Sequence, residues 1–419
     1  MGMRRKSVLS GVTVSLGLAV CGCSAASAPT VGPPASVVPA GTDATASAAP
    51  PGTTTAPPQP APPPSPPPTA AATTTTTTAT PVSNTFTILV SGDLLPHTSV
   101  IEMARWYAGG GNYDFAPMFW AVKPIVDAVD VAVCHLETPV APAGTAPDGT
   151  YPTYGVPAQI APALAASGFD RCSVASNHSL DKGEAGIDST LNALDAAGVG
   201  HAGMARVPAE AGPVVFDVRG TTMAHLSYTF GFNGRRLPAE RPWRSNLIDP
   251  ARIVADAQQA RADGARFVIV SLHWGNEGSN AVTSAQRQVA EAVTASGAVD
   301  VIVGHHSHVV QPIEQVNGRW VVFGLGNFLT GMGAASPCCG VRGQDGMMVR
   351  LRVTERPDGS FEVAAPEAIA TFVDRRGYVV MPVEFGLGHA GVVRMMGADK
   401  LTDSLGRTAS VVGPYLVAG

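Results

Sequence analysis

Five short apolar runs in this chain each end on side chains able to ligate a metal or move a proton, and that pattern constrains its fold more than any other feature. The run 86–91 closes on Gly92-Asp93, and 129–134 closes on His135-Leu136-Glu137. The run 169–175 leads into Ser176-Asn177-His178, 266–272 into His273, and 299–303 into Gly304-His305-His306-Ser307-His308. Short β-branched runs of this kind read as strands buried on both faces. Between them lie helical segments at 118–128, 160–166, 184–197, 250–262 and 285–295; in the third, Ile187, Leu191 and Leu194 share one face. Strands alternating with helices predict an α/β domain. In such sheets, sites gather in the crevice at the carboxyl ends of the strands. Five strand ends offering nitrogen and oxygen ligands therefore predict a metal or polar catalytic site.

Taken singly, each motif has a plainer reading. Gly92-Asp93 alone would be a turn, and His273-Trp274-Gly275 alone a packed aromatic corner. Three histidines in four residues, 305, 306 and 308, seldom serve packing alone. In an extended segment His306 and His308 would project to the same side. Seven of the ten histidines, at 97, 135, 178, 273, 305, 306 and 308, fall in or just after these motifs.

The first 84 residues have a different texture. Arg4, Arg5 and Lys6 precede a mostly apolar stretch, 8–20, too short to span a bilayer comfortably and suited to a signal peptide. The stretch ends in a sequence resembling a bacterial lipobox, in which the small Gly22 favours Cys23 over Cys21 as the lipidated residue. Residues 1–23 are thus expected to be a lipoprotein signal peptide. Residues 24–84 hold 16 of the 36 prolines, six consecutive threonines at 73–78 and one charged residue, Asp43. Such a segment buries too little apolar surface to offset its ordering entropy, so a disordered stalk is expected, with one folded domain over 85–419. The folded part is expected outside the cytoplasm, held to the outer face of the cell membrane through the lipid anchor.

Net charge is −5, from 27 basic and 32 acidic residues, with no basic stripe, which disfavours a nucleic-acid partner. No Ser-His-Asp order or Gly-x-Ser-x-Gly elbow supports a serine hydrolase. Cys134, Cys172, Cys338 and Cys339 would remain after processing. Buried thiols are expected at Cys134 and Cys172, with a bridge from the adjacent pair 338–339 to either of them left open.

The ordered set Gly92-Asp93, Leu136-Glu137-Thr138-Pro139, Asn177-His178-Ser179-Leu180-Asp181-x-Gly183, Gly186, His273-Trp274-Gly275-x-Glu277, Gly304-His305-His306-x-His308 and Gly324-Leu325-Gly326-Asn327-Phe328 resembles the CapA family. These are poly-γ-glutamate capsule biosynthesis proteins with a calcineurin-like metallophosphoesterase domain. The match runs over about 86–330, and later runs at 347–353 and 361–372 resemble the closing sheet. The resemblance implies a metallophosphoesterase-like β-sandwich flanked by helices, in four layers αββα. It implies two divalent metal ions, Mn, Fe, Zn or Co, held by Asp93, Glu137, Asn177, His273, His306 and His308. His178 would be the proton donor or charge stabiliser, with Asp181 beside it in the catalytic set or bonded to a ligand. His135, Trp274, Glu277, His305 and Asn327 would meet the substrate, although Trp274 also reads as core and Asn327 as a loop support.

Three departures stand out. The family usually has Asn where this chain has His135, and Asn-Asn-His where it has Ser176-Asn177-His178. The Asp-x-His opening of ordinary metallophosphoesterases is missing too, because Leu94-Leu95 follows Asp93; His97 either substitutes for it or is a loop histidine. The implied role is biosynthesis or remodelling of a capsule or other extracellular polymer, with metal-dependent hydrolysis of phosphoester type. The alternative is a non-catalytic accessory that binds the polymer or its synthesis and export machinery.

Overall fold

Alternation along the strand Thr85–Leu95 sets the architecture. Phe86, Ile88 and Val90 point into one apolar cluster, while Leu89 points into another on the opposite face. Leu94 joins the cluster of Leu89 despite its even number, because the ladder to the neighbouring strand shifts register between Val90 and Asp93. That bulge turns Asp93 to the side of Phe86 and Val90.

The computed structural model describes residues 84–418. Two sheets face each other. The first runs in the order Val380–Pro382, Glu367–Val373, Asp345–Glu355, Thr85–Leu95, Val131–Leu136, Arg171–Ser173, Gly200–Ala202; Asn327–Thr330 also pairs with Thr85–Leu95 and Phe361–Val363 with Asp345–Glu355. The second runs Ile313–Val316, Arg319–Val322, Val301–His305, Phe267–His273, Thr221–Thr229, Val214–Val218. Parallel pairs form the centre of the second sheet and one half of the first.

Val131 and Val133 of the first sheet and Phe267, Ile269, Val301 and Val303 of the second meet in one cluster between the sheets. Behind the first sheet, helices Ile160–Ala166 and Gly183–Ala196 contribute Leu164, Ile187, Leu191 and Leu194. Behind the second, helices Pro250–Ala262 and Ser284–Ala295 contribute Ile253, Ala257 and Val293. The result is four layers, αββα, as the resemblance implied. The helix Ser284–Ala295 opens with a capping box between Thr283 and Gln286.

Several expected elements differ in detail. The helix expected at 118–128 is reduced to a 3-10 turn, Ala116–Met118, and one helical turn, Lys123–Val126. Pro124 lacks the N–H that a continuous helix would need there. Only Arg171–Ser173 of the run 169–175 enters the ladder. The run 361–372 divides into Phe361–Val363 and Glu367–Val373, with Pro366 between them. Helix Thr98–Tyr107, strand Thr221–Thr229 and the C-terminal helices Val383–Gly388, Ala390–Met396 and Ala398–Val412 lie outside every segment marked from periodicity.

The cysteines also differ. Cys134 and Cys172 lie opposite each other on adjacent parallel strands, Cα atoms 4.4 Å apart, and are joined as a disulfide; Cys338 and Cys339 form a second. The thiol expectation fails because strand register, which the sequence does not reveal, brings the first pair face to face. No helix among the described residues is long and apolar enough to cross a membrane. The expected signal peptide, Cys23 and the stalk lie outside the described residues, apart from Asn84 at the boundary.

Candidate metal centre

The interior-facing positions of the strands carry the polar groups. His135 continues the side of Val131 and Val133, His273 that of Phe267 and Ile269, and His305 that of Val301 and Val303, so all three emerge where the inter-sheet core ends. The bulge adds Asp93, which pairs in register with His135. Glu137 follows at the end of the same strand as His135. Ligand-type atoms gather in four overlapping sets, each within 4.8 Å: Asp93, His135 and His305; Asp93, Glu137 and His308; Glu137, His273 and His306; Glu277, His306 and His308.

His306 and His308 do not reach this place along an extended strand, as the sequence suggested. The strand Val301–His305 stops at His305, and the next turn holds His306 at φ +85° and His308 at φ +55°. Left-handed backbone is costly for a non-glycine residue and is kept where the surroundings fix it. Here the His306 N–H donates to Asp93 Oδ2 at 3.0 Å, and His308 Nδ1 lies 3.1 Å from Asn327 Oδ1.

A chain of hydrogen bonds orients the other imidazoles. Ser173 Oγ lies 2.8 Å from His135 Nδ1, His135 Nε2 lies 2.9 Å from His273 Nδ1, and His273 Nε2 lies 2.9 Å from Asn177 Oδ1. His305 Nδ1 meets Asp93 Oδ1 at 3.0 Å. Asp181 Oδ2 accepts from His178 Nδ1 at 2.7 Å and from the Tyr154 N–H at 2.8 Å, leaving His178 Nε2 3.9 Å from Glu137 Oε1.

The donor set fits a divalent cation. Glu137 is fully buried, yet neither of its oxygens has a hydrogen-bond donor, and His306 Nδ1 is likewise without a partner. Burial pushes the Glu137 carboxyl well above the usual carboxylate range. A carboxylate so placed needs a compensating positive charge. Burial and the neighbouring imidazoles hold His135 and His273 neutral, and burial with the charge of His308 takes His306 down to about 3. Neutral imidazole is the form that binds metal. Burial alone would lower His308, but Glu137 and Asp93 push it up to about 10, so the two carboxylates favour a cation between them. Asp93 stays below the usual carboxylate range: burial opposes ionisation, and hydrogen bonds from His305 and His308 outweigh it.

Asp93, Glu137, Asn177, His178, Asp181, His273, His305, His306 and His308 thus surround one place, with His135 among them. Two residues assigned to substrate are elsewhere in role. Trp274 is packed in the core, its ring stacked on Phe323 and its indole N–H donated to Phe323 O at 2.9 Å. Asn327 is buried and turned inward, holding His308 and donating to Gly343 O at 2.8 Å. Glu277 is exposed, near His306 and His308, on the wall of an adjoining cleft. His97 lines that cleft too: its Nδ1 lies 2.9 Å from Leu95 O and its ring meets Tyr154 edge-on, and burial lowers it to about 4. Sequence reasoning missed Asn233, which accepts from Asn177 Nδ2 at 3.2 Å, and Phe230, half-exposed with its ring 4.5 Å from His306. Both lie in an irregular loop whose sequence carries no ligand pattern.

The fold is an αββα sandwich with a cluster of ligand-type side chains at its strand ends. Residues 87–332 match the family described as bacterial capsule synthesis protein PGA_cap, and the chain belongs to that family. It is 33% identical over 195 residues to "PGA biosynthesis protein CapA" of Bacillus subtilis strain 168, covering 45% of this chain and 48% of that protein. It is 30% identical over 218 residues to a "probable polyglutamine synthesis accessory protein" of Mycobacterium tuberculosis strain H37Rv, covering 48% and 55%. The chain spans about half the length of the curated relatives it matches. Among solved structures, the calcineurin-like phosphoesterase YfkN of Bacillus subtilis aligns with a TM-score of 0.43 at 14% identity, over 77% of this chain and all of that one. That likeness is loose, and nothing about activity follows from it.

Proposed function

We propose that this CapA homologue is a metal-dependent hydrolase of phosphoester type that acts in making or remodelling a capsule-like extracellular polymer. The observation that carries the reading is Glu137, a fully buried carboxylate with no donor to either oxygen, faced by Nε2 of His308, His273 and His178 at 3.7, 3.8 and 3.9 Å. Asp93, Glu137, Asn177, His273, His306 and His308 would hold two divalent ions, with His135 and His305 beside them. When bound, such ions supply Lewis-acid stabilisation of charge developing on a phosphoryl oxygen. The chain's own part is proton handling. Asp181 fixes the His178 ring through Nδ1, so that Nε2 faces the site and can give a proton to a leaving oxygen. Tyr154, buried with its ring 4.7 Å from that of His178, closes one side.

Names of relatives support a second reading, an accessory that binds a polymer or its synthesis machinery without turnover. Metal analysis of the chain purified without chelators, together with a phosphodiester and phosphomonoester panel, separates the two. About two equivalents of transition metal and metal-dependent turnover are expected. Absence of transition metal after Mn or Zn is offered would sink the enzyme reading and leave the accessory role.

The same proposal places the domain on the outer face of the cell membrane, tethered through Cys23 by the stalk 24–84. The two disulfides suit an oxidising compartment. Cys23→Ala should appear in the medium or remain unprocessed in cell fractionation, with Cys21→Ala behaving as the parent. Equal membrane partitioning of a processed Cys23→Ala protein would remove Cys23 as the anchor.

A further inference from the structure

The two disulfides lie in unlike surroundings. Cys134 and Cys172 are buried in the core between the first sheet and its helices, where their bond ties two strands together. Cys338 is part-exposed and lines a cleft of about 530 Å³ beside the metal centre, which Glu277, Tyr154 and His97 also line. Cys339, bonded to it, is buried.

Two sets of contacts join this pair to the ligand groups. Its backbone lies against Gly278, where an added Cβ would collide with Cys338 O, so glycine is what lets the two segments meet. Gly278 follows Glu277, which forms a ligand set with His306 and His308, and its N–H donates to Ser307 O at 2.8 Å. On the other side, an added Cβ at Gly343 would come 3.2 Å from Cys339 Cβ. Gly343 O accepts from Asn327 Nδ2 at 2.8 Å, and Asn327 Oδ1 lies 3.1 Å from His308 Nδ1.

A disulfide between neighbours closes a small ring through the peptide that joins them. It fixes the backbone at the contact with Gly278, and opening it returns torsional freedom to both residues. A bond with an exposed partner is open to thiol exchange, whereas a buried one waits for the structure to open. We propose that Cys338–Cys339 is a thiol-exchange site for a dithiol donor, and that opening it loosens Glu277 and His308 at the metal centre. The donor's first thiolate attacks Cys338 Sγ, and the sulfur–sulfur bond breaks with its electron pair on Cys339 Sγ, which takes a proton. The donor's second thiolate attacks the donor sulfur of this mixed disulfide and displaces Cys338 Sγ, which is protonated in turn. Two electrons pass to the protein, and the donor leaves as its own disulfide.

The test treats the full chain, purified in air, with millimolar dithiothreitol and desalts it anaerobically. One portion is alkylated for peptide mass spectrometry, one is taken for hydrogen exchange, and one is titrated with Mn or Zn against a chromophoric chelator. Cys338 and Cys339 should be labelled at least about 100-fold faster than Cys134 and Cys172. Hydrogen exchange at 277–280 and 338–343 should quicken. Metal affinity should fall about ten-fold or more, the loss expected when support behind a ligand is removed, and return on reoxidation. A Cys338→Ser/Cys339→Ser chain should show the weaker affinity with or without the reductant. Free thiols at 338 and 339 before treatment, labelling there no faster than at 134 and 172, or unchanged hydrogen exchange each overturns the proposal. Equal metal affinity of the oxidised and reduced forms overturns it too. The metal arm rests on the centre proposed above, but labelling and hydrogen exchange need no metal. A chain that binds none in either form therefore refutes that centre and the proposed effect on it, while the other two readouts decide whether the pair opens and frees the Glu277–Gly278 turn.

Discussion

His178→Ala should lose about 100- to 10,000-fold of phosphoester turnover while keeping its metal, the range expected when a positioned proton donor is removed. His178 is fixed by Asp181 at 2.7 Å, and its free nitrogen faces Glu137 without belonging to any of the tight ligand sets. His308→Ala should behave in the opposite order, with metal content falling first and turnover with it. His308 belongs to two of the four sets and stands between Asp93 and Glu137, at 3.3 and 3.7 Å. Inductively coupled plasma analysis and initial rates on the same preparations check both. Parental turnover in His178→Ala, or full metal in His308→Ala, would contradict the assignment of roles. Melting curves guard against a folding defect.

Phe86→Ala should be the most destabilising single change, costing about 3–5 kcal/mol. The ring is fully buried between the sheets and meets Phe267 edge-on at 5.8 Å and Phe361 at 6.1 Å. Phe267 and Phe361 also touch each other at 5.7 Å, so truncation opens a cavity inside a three-ring contact and forfeits edge-to-face pairing. Urea denaturation should show a lower midpoint at an unchanged slope. Phe86 lies seven residues before Asp93 on one strand, roughly 20 Å from the site at about 3.3 Å per residue. Metal content under native conditions should therefore stay parental. A midpoint within experimental scatter of the parent would show that the inter-sheet contact is not what holds the sandwich together.

The ligand-type residues of the candidate site were legible because they sit at strand ends. Apolar runs of β-branched residues mark buried strands by local pattern alone, and the residues that follow them must emerge at one edge. That logic gave Asp93, Glu137, Asn177, His273 and the 305–308 cluster. It failed where the decision depended on a distant segment. Trp274 and Asn327 carry the same sequence signal as a substrate contact, but the Phe323 carbonyl and the His308 ring turn them inward. Asn233 and Phe230 reach the site from a loop with no periodicity. The C-terminal helices escaped notice because their apolar contacts are shared among three separate pieces and the strands Glu367–Val373 and Val380–Pro382.

What the sequence determined by itself is therefore an α/β class and the inventory of ligand-type groups, since alternation, helix periodicity and strand-end composition are local properties, whereas the αββα layering came only with the family resemblance. What only the tertiary structure decided is which way those groups face. The bulge after Val90 swings Asp93 from the helix side to the sheet interior, and left-handed backbone at His306 and His308 folds both back toward it. Register sets Cys134 against Cys172, and the absence of a side chain at Gly333 lets Arg375 lie along the cleft. Each of these is a contact between segments tens to hundreds of residues apart, fixed by packing and hydrogen bonding that no local pattern encodes.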